Sequence, residues 1–254
     1  MIAAGKRQLH AQRLSVDFLG LGVQRGGTNT LRMLLRCHPD VLMPALNEVH
    51  YFSNHYQRGR RWYSRHFFGR RPEHVIGEIT PFYLFHPQAP DRIRRHRSDL
   101  KLIVLLRDPV TRALSHHRHS RRWGLEPLPL MEALEAEESR LSQPNAHRRR
   151  LSFQEHSYLS RSRYVEQIDR YLNLFPQDQL LMLRSEDLFE DQSCVWERLT
   201  RHLNLQSARF PGACPGLNAA DRCWSEEESR AAGWLRERLS DTYRDMEQRF
   251  AIGW

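Results

Sequence analysis

The sequence predicts an α/β fold of three layers, a central and mostly parallel sheet flanked by helices, and three observations point to it. Short, nearly continuous apolar runs recur along the chain, segments of helical periodicity separate them, and the first run passes through a glycine-bearing turn straight into a helix. Strands covered on both faces read as unbroken apolar runs, and joining two parallel strands requires a crossover that is usually helical. A chain of 254 residues is long enough to bury a substantial core, and its length suits one domain over residues 1–254.

The elements follow in order. Residues 16–23, Val-Asp-Phe-Leu-Gly-Leu-Gly-Val, have the length and apolar density of a buried strand. A helix follows Thr28-Asn29-Thr30, because Leu31, Leu34 and Leu35 recur at helical spacing, and it ends at His38-Pro39, where proline disfavours helix in the residue before it. Residues 75–79, 101–106 and 180–183 read as further strands. A helix is expected to start near Pro109, proline being favoured at the first helical position. Residues 124–150, rich in Glu, Arg and Pro with an amphipathic stretch over 130–141, read as an insertion or lid. Residues 158–175 read as an amphipathic helix ending before Pro176. Residues 225–250 read as one long helix with Trp234, Leu235, Leu239, Tyr243 and Met246 on its apolar side.

Composition narrows the function classes. With 27% charged residues and no run near the roughly 20 apolar residues that span a bilayer, a mainly membrane-embedded chain is excluded. Residues 1–13 carry Lys6, Arg7 and Arg13 without the apolar core of a secretory signal, so a cytoplasmic location is expected. Cys37, Cys194, Cys214 and Cys223 are too irregularly spaced for a disulfide scaffold or a C-x-x-C metal site; reduced thiols are expected, with a Cys214–Cys223 pair as the alternative. The net charge of +9 favours anionic partners without choosing among them. The run His116-His117-Arg118-His119 is not read as a metal site, since adjacent histidines on a helix diverge and Arg118 repels a cation.

The chemistry concentrates at two places. Gly22-Val23-Gln24-Arg25-Gly26-Gly27-Thr28-Asn29-Thr30 lies where the first strand hands over to the first helix. Glycines there let the backbone approach an anion, and the helix N-terminus offers free N–H groups. Gly22 to Gly27 has the spacing of a nucleotide-binding P-loop, but Thr28 stands where that loop carries its lysine and Asn29 where the magnesium-binding hydroxyl belongs, which argues against ATP γ-phosphate transfer. The cation sits three residues earlier, as Arg25. The second place is Arg107-Asp108-Pro109-Val110-Thr111-Arg112-Ala113-Leu114-Ser115. Arg107 ends the most apolar strand, at the edge where parallel sheets bind ligands, and an arginine with a serine hydroxyl can share one phosphate.

Arg25-Gly26-Gly27-Thr28 after a strand, followed by Arg107-Asp108-Pro109 and Ser115, resembles the two cofactor motifs of the sulfotransferases that use 3′-phosphoadenosine 5′-phosphosulfate (PAPS). The likeness is greatest to the heparan-sulfate-type branch and its bacterial relatives. Further matching phrases are His38-Pro39, Asn47-Glu48-Val49-His50-Tyr51-Phe52, Glu78-Ile79-Thr80-Pro81, Tyr164-Val165-Glu166-Gln167-Ile168 and Arg184-Ser185-Glu186-Asp187-Leu188. The resemblance implies that Arg25, Gly26, Gly27, Thr28, Asn29 and Thr30 bind the 5′-phosphosulfate, and that Arg107 and Ser115 contact the 3′-phosphate. Glu48 takes the position of the family's catalytic base, with His50 beside it and Arg25 stabilising the leaving phosphate. Arg222 falls in a partial match to the family's C-terminal cofactor loop.

The implied reaction is in-line transfer of a sulfuryl group to a hydroxyl, less readily an amine, of a carbohydrate or small-molecule acceptor, without a metal and without nucleic acid as partner. The family's usual loop cation is lysine rather than Arg25. The heparan branch also often has lysine where Asn47 and Ile79 stand, which weakens the case for a highly sulfated acceptor. A nucleotide-dependent kinase with an altered loop and a non-catalytic polyanion-binding protein are the competing readings.

Overall fold

A computed structural model describes residues 16–69, 71, 74–206, 210–212 and 223–254. Five strands, β1 (Phe18–Gly22), β2 (Val41–Leu42), β3 (Val75–Ile79), β4 (Lys101–Leu106) and β5 (Leu180–Arg184), form one sheet in the order β2-β3-β1-β4-β5. Every pairing in it is parallel. The expected α/β architecture is therefore what the chain adopts. Sequence reading missed β2, whose two residues are too short for any periodicity and exist as a strand through pairing with Val75 and Ile76 of β3.

Strand alternation builds the three layers. Leu19 and Leu21 of β1 and Leu102, Val104 and Leu106 of β4 point to one face, where they pack with Tyr83, Ile93, Tyr164, Ile168 and Met246. Phe18, Ile103 and Leu105 point to the other, against Leu31, Leu34 and Leu35 of the helix Thr28–Arg36 and Val195, Trp196 and Leu199 of the helix Gln192–His202. Successive side chains on a strand face opposite ways, so a sheet of this apolar content needs helices on both sides.

Two helical expectations need correction. Residues 225–250 are not one helix but two, Glu226–Arg238 and Ser240–Phe250, because buried Leu239 leaves helical geometry at φ −107° and ψ 6°. Within 158–175 only Tyr164–Leu172 is α-helical, and the Ser160–Ser162 stretch before it is a 3₁₀ turn. Residues 124–150 contain the helices Leu130–Glu135 and Glu137–Leu141 and the start of Ala146–Glu155. Leu130, Ala133 and Leu134 are buried against Ala231, Ala232 and Leu235. Burial pushes the Glu126 carboxyl up, but Arg140, the Leu128 N–H and the Tyr158 hydroxyl outweigh it and hold the group down at about 2. Among the described residues no helix is long and apolar enough to cross a membrane. Cys223 is an exposed free cysteine, while Cys214, its partner in the alternative pairing, and Arg222 lie outside the described residues.

Burial of histidines makes stability depend on pH. His96 is ringed by Tyr51, Phe52 and Tyr63 with neither ring nitrogen bonded, and His86 lies among Arg92, Arg170 and His50. Burial first, and then the neighbouring cations, lower both to about 4. Fully buried His116 shifts the same way. Folded, each of the first two takes up its proton only near 4, whereas the unfolded chain does so from 6.5. Between those values the unfolded state binds more protons, so stability falls as pH drops and levels off below about 4. Allowing for partial exposure, each histidine contributes on the order of 1–2 kcal/mol across that window. Thermal unfolding is expected about 5–10 °C lower at pH 5 than at pH 7; an unchanged midpoint would show that these rings reach solvent.

Candidate active site

Strand order 2-3-1-4-5 places the switch point between β1 and β4, since the chain leaves β1 toward one edge and β4 toward the other. Ligands of open parallel sheets bind in the crevice that opens there. The turn after β1 occupies it. Gly26 is required because a Cβ at that position would stand 2.7 Å from the Leu105 carbonyl oxygen. Gly27 caps the helix Thr28–Arg36 at φ 87°, with no side-chain cap and no acidic residue in the first turn. The N–H groups of Thr28, Asn29 and Thr30 thus begin a helix with no internal partner, and the Thr30 hydroxyl is buried without one.

Arg25 itself sits in the left-handed region, at φ 70°. The turn is clamped by the residues that follow β4 and β5: Arg107 Nη1 donates to the Arg25 carbonyl at 3.1 Å, and Ser185 Oγ donates to the Gly26 carbonyl. The Arg25 guanidinium donates from Nε to Ser115 Oγ at 3.2 Å and from Nη1 to His119 Nδ1 at 3.3 Å. Ser115 and His119 stand one turn apart on the helix Pro109–Arg122. Asp108 caps that helix through the Thr111 N–H at 2.7 Å, and Tyr243 donates to its other oxygen at 2.6 Å. Burial lowers the pKa of Arg25, and Arg107, Arg118 and Arg122 lower it further. Burial lowers Arg107 as well, against the opposing pull of Glu186. Both remain protonated, so the turn holds crowded cations together with free N–H groups. An anion relieves that crowding, and phosphate groups fit this cradle.

The opposite wall is built from β3. Glu78 is fully buried and accepts from Tyr63 at 3.2 Å, Tyr83 at 2.6 Å and Thr80 Oγ1 at 2.6 Å. Burial raises its pKa while these hydrogen bonds pull it back. Thr80 Oγ1 in turn accepts from the N–H groups of Val49 and His50 at 3.1 and 3.3 Å. Arg32 ties the same loop to the first helix, donating to Asn29 Oδ1 at 2.9 Å, to the Ile79 carbonyl at 2.8 Å and to the Asn47 carbonyl. Glu48 is held at the cleft with its side chain 41% exposed, Oε2 lying 3.0 Å from His50 Nε2. That contact puts a ring proton on Nε2. His50 Nδ1 lies 3.1 Å from Ser53 Oγ.

The two walls enclose a cleft of about 170 Å³ lined by Gln24, Arg25, Gly27, Thr28, Asn29, Thr30, Glu48, Pro81, Arg107, His119 and Phe189. Seven of these are residues that the sequence singled out. Ser115 reaches the cleft through Arg25, and His50 through Glu48. Gln24, Pro81, His119 and Phe189 were not named as site residues. The spacing of His119 one turn beyond Ser115 was the available signal, whereas Phe189 arrives from the segment after β5 and nothing local announces it. Two more of the matching phrases brace the site: Tyr164 donates to the Arg107 carbonyl at 2.8 Å, and Glu186 accepts from the Asp108 N–H at 3.0 Å. Ile79 carries no charge toward the cleft, because its side chain is buried against Gly20.

A cationic cradle at a helix N-terminus, facing a half-exposed carboxylate across a small cleft, is an arrangement suited to group transfer from a phosphorylated donor. Comparison with known proteins gives this class its family. Over 95% of its length the chain superposes on the crystal structure of a sulfotransferase from Alicyclobacillus acidocaldarius, covering 98% of that chain with a TM-score of 0.80 at 25% identity. It is 33% identical over 187 residues to mouse heparan sulfate glucosamine 3-O-sulfotransferase 3A1, and 36% identical over 110 residues to the membrane-associated sulfotransferase kil1 of Dictyostelium discoideum. These stretches cover 73% and 42% of the chain respectively, but only 45% and 23% of the relatives, so the chain matches less than half the length of either. The sulfotransferase domain family matches residues 16–213. The chain belongs to the sulfotransferase family.

Proposed function

We propose that this chain transfers a sulfuryl group from PAPS to an acceptor hydroxyl by in-line displacement, with Glu48 as general base. The observation that carries the reading is that the Arg25–Arg107 cradle and Glu48 line one cleft. PAPS, the donor substrate of the family, supplies the sulfuryl group. The N–H groups at the start of the helix Thr28–Arg36 and the Arg25 guanidinium hold its 5′-phosphate end. Arg107 and Ser115 hold the 3′-phosphate. Ser115 accepts from Arg25 and so keeps its own proton to donate.

Glu48 takes the proton of the acceptor hydroxyl as the oxygen–sulfur bond forms and the bond from sulfur to the phosphate oxygen breaks. The electron pair leaves on that phosphate oxygen, beside Arg25. His50 fixes the carboxylate through Nε2, which makes it a positioning residue for Glu48. Thr28 and Asn29 supply no lysine or magnesium ligand, which favours this donor over ATP.

The test is calorimetric titration with 3′-phosphoadenosine 5′-phosphate (PAP) against ADP, without and with magnesium. PAP is expected to bind more tightly, with no need for the metal. Arg107→Ala should weaken PAP by about 10–100-fold, the value of a charge-assisted hydrogen bond, while barely changing ADP. A preference for magnesium–ADP would point to a kinase, and binding of neither to a protein that recognises polyanions without catalysis.

A further inference from the structure

The segment that presents Arg107 to the cleft is braced from behind at three points. The Arg107 carbonyl accepts from Tyr164 at 2.8 Å, the Asp108 N–H donates to Glu186 Oε1 at 3.0 Å, and the Asp108 carboxylate accepts from Tyr243 at 2.6 Å. Trp254 joins all three partners. Its ring lies 6.0 Å from that of Tyr164 and, edge-on, 6.1 Å from that of Tyr243, and its indole Nε1 donates to Glu186 Oε2 at 3.1 Å. The chain folds back after the helix Ser240–Phe250 to bring it there: Ala251 takes φ 54°, the Ile252 N–H returns to the Met246 carbonyl at 3.2 Å, and the Ile252 side chain joins Met246 in the core. That left-handed conformation is unfavourable for a non-glycine residue, and the contacts of Ile252 and Trp254 offset it.

Glu186 is what gives the indole N–H its consequence. Among the charged groups acting on Arg107 it has the largest influence, ahead of Asp108. A carboxylate there competes with a phosphate for the same guanidinium. In the structure both of its oxygens are engaged elsewhere, Oε1 by the Asp108 N–H and Oε2 by the indole. The side chain is 28% exposed, and the cations bearing on it are Arg107 and Arg184, whose Nε lies 3.9 Å from Oε2. With both N–H groups in place Glu186 steadies the main chain of Asp108, and Arg107 is left to donate to the Arg25 carbonyl and line the cleft. Without the indole, Oε2 is free to turn toward a guanidinium, and Oε1 moves with it because the carboxylate is one rigid group.

We infer that Trp254 is a positioning residue for the donor's 3′-phosphate: its indole N–H holds Glu186 on the Asp108 N–H and keeps that carboxylate off Arg107. This inference rests on the sulfotransferase reading, in which Arg107 meets the 3′-phosphate. The wild-type preference for PAP over adenosine 5′-monophosphate (AMP), which lacks only that phosphate, tests the reading separately.

The experiment titrates PAP and AMP calorimetrically into the full chain, its Trp254→Phe and Glu186→Gln variants and the double variant. Phenylalanine keeps a ring against Tyr164 and Tyr243 and removes the donor. Trp254→Phe is expected to weaken PAP by about 3–10-fold, the value of one hydrogen bond to a partly exposed charged group, and to change AMP less than about twofold. With 2-naphthol, methyl β-glucoside and heparan sulfate as acceptor probes, KM for PAPS should rise by the same factor for whichever is turned over, while kcat stays within about twofold. Glu186→Gln removes the competing charge, and its amide oxygen still accepts the Asp108 N–H, so PAP should bind at least as tightly as to the wild type. In that background Trp254→Phe should shift PAP less than about twofold. Equal losses of PAP and AMP, or a fall in kcat with KM unchanged, would make Trp254 a structural support and overturn the inference. Unchanged PAP affinity overturns it too, as does a Trp254→Phe penalty that persists beside Glu186→Gln. A wild-type protein that binds PAP no better than AMP removes the reading, and the role of Trp254 with it.

Discussion

Glu48→Gln is expected to lower acceptor turnover by about 10²–10⁴-fold, the usual contribution of a positioned general base, while changing PAP affinity less than about twofold. The substitution keeps the size of the side chain and an oxygen that can still accept from His50 Nε2, 3.0 Å away in the wild-type protein. The loop should therefore stay where Thr80 and Arg32 hold it, through the Val49 and His50 N–H groups and the Asn47 carbonyl. Only basicity is lost. Steady-state rates with whichever acceptor probe is turned over, read beside a PAP titration, separate this from a folding defect. Turnover within about tenfold of wild type would remove Glu48 from the role of base. His50→Ala should cost less, because that ring orients the carboxylate and the carboxylate does the chemistry.

The fold was largely legible because its signals are local. Residues 102–106 are apolar throughout, and the strand observed there, Lys101–Leu106, is buried on both faces between β1 and β5. The donor-side cradle was legible for a similar reason: Gly26 and Gly27 answer backbone demands that a sequence states openly, one a carbonyl that leaves no room for Cβ and the other a positive φ. What could not be read were properties that belong to pairs of distant residues. A helix interrupted at Leu239 looks continuous in periodicity, since Leu239 is buried in the same apolar cluster as Leu235 and the interruption is a single non-helical backbone conformation. Gln24 carries no signal of its own, because Arg161, which takes its amide oxygen, lies 137 positions away. Glu78 sat unnoticed inside a matching phrase, yet it carries Thr80, and Thr80 carries the loop that presents Glu48. The arginines mislead in the same way: a sequence counts their charges but cannot show how many are bound to main-chain carbonyls.

Arg25 combines two unfavourable features, and their combination predicts how stability and activity separate. Its backbone lies at φ 70°, where any non-glycine residue is strained, and its guanidinium is buried near Arg107, Arg118 and Arg122. Arg25→Ala leaves the backbone strain as it was and removes the charge crowding, so the unfolding temperature should be unchanged or higher. Turnover should nevertheless fall by about 10²–10³-fold, the typical effect of deleting one preorganised group that stabilises charge in the transition state. Arg25→Lys keeps the charge but gives up the fork that joins Ser115 and His119. It should stay within about tenfold of wild type, because charge on the departing phosphate needs a cation more than it needs a planar one. Thermal melts and turnover on the same preparations decide the matter. If Arg25→Ala loses stability and activity together, the residue is a structural support for the turn; if it keeps its activity, the charge on the leaving phosphate is met elsewhere, with Arg107 the nearest candidate in the cleft.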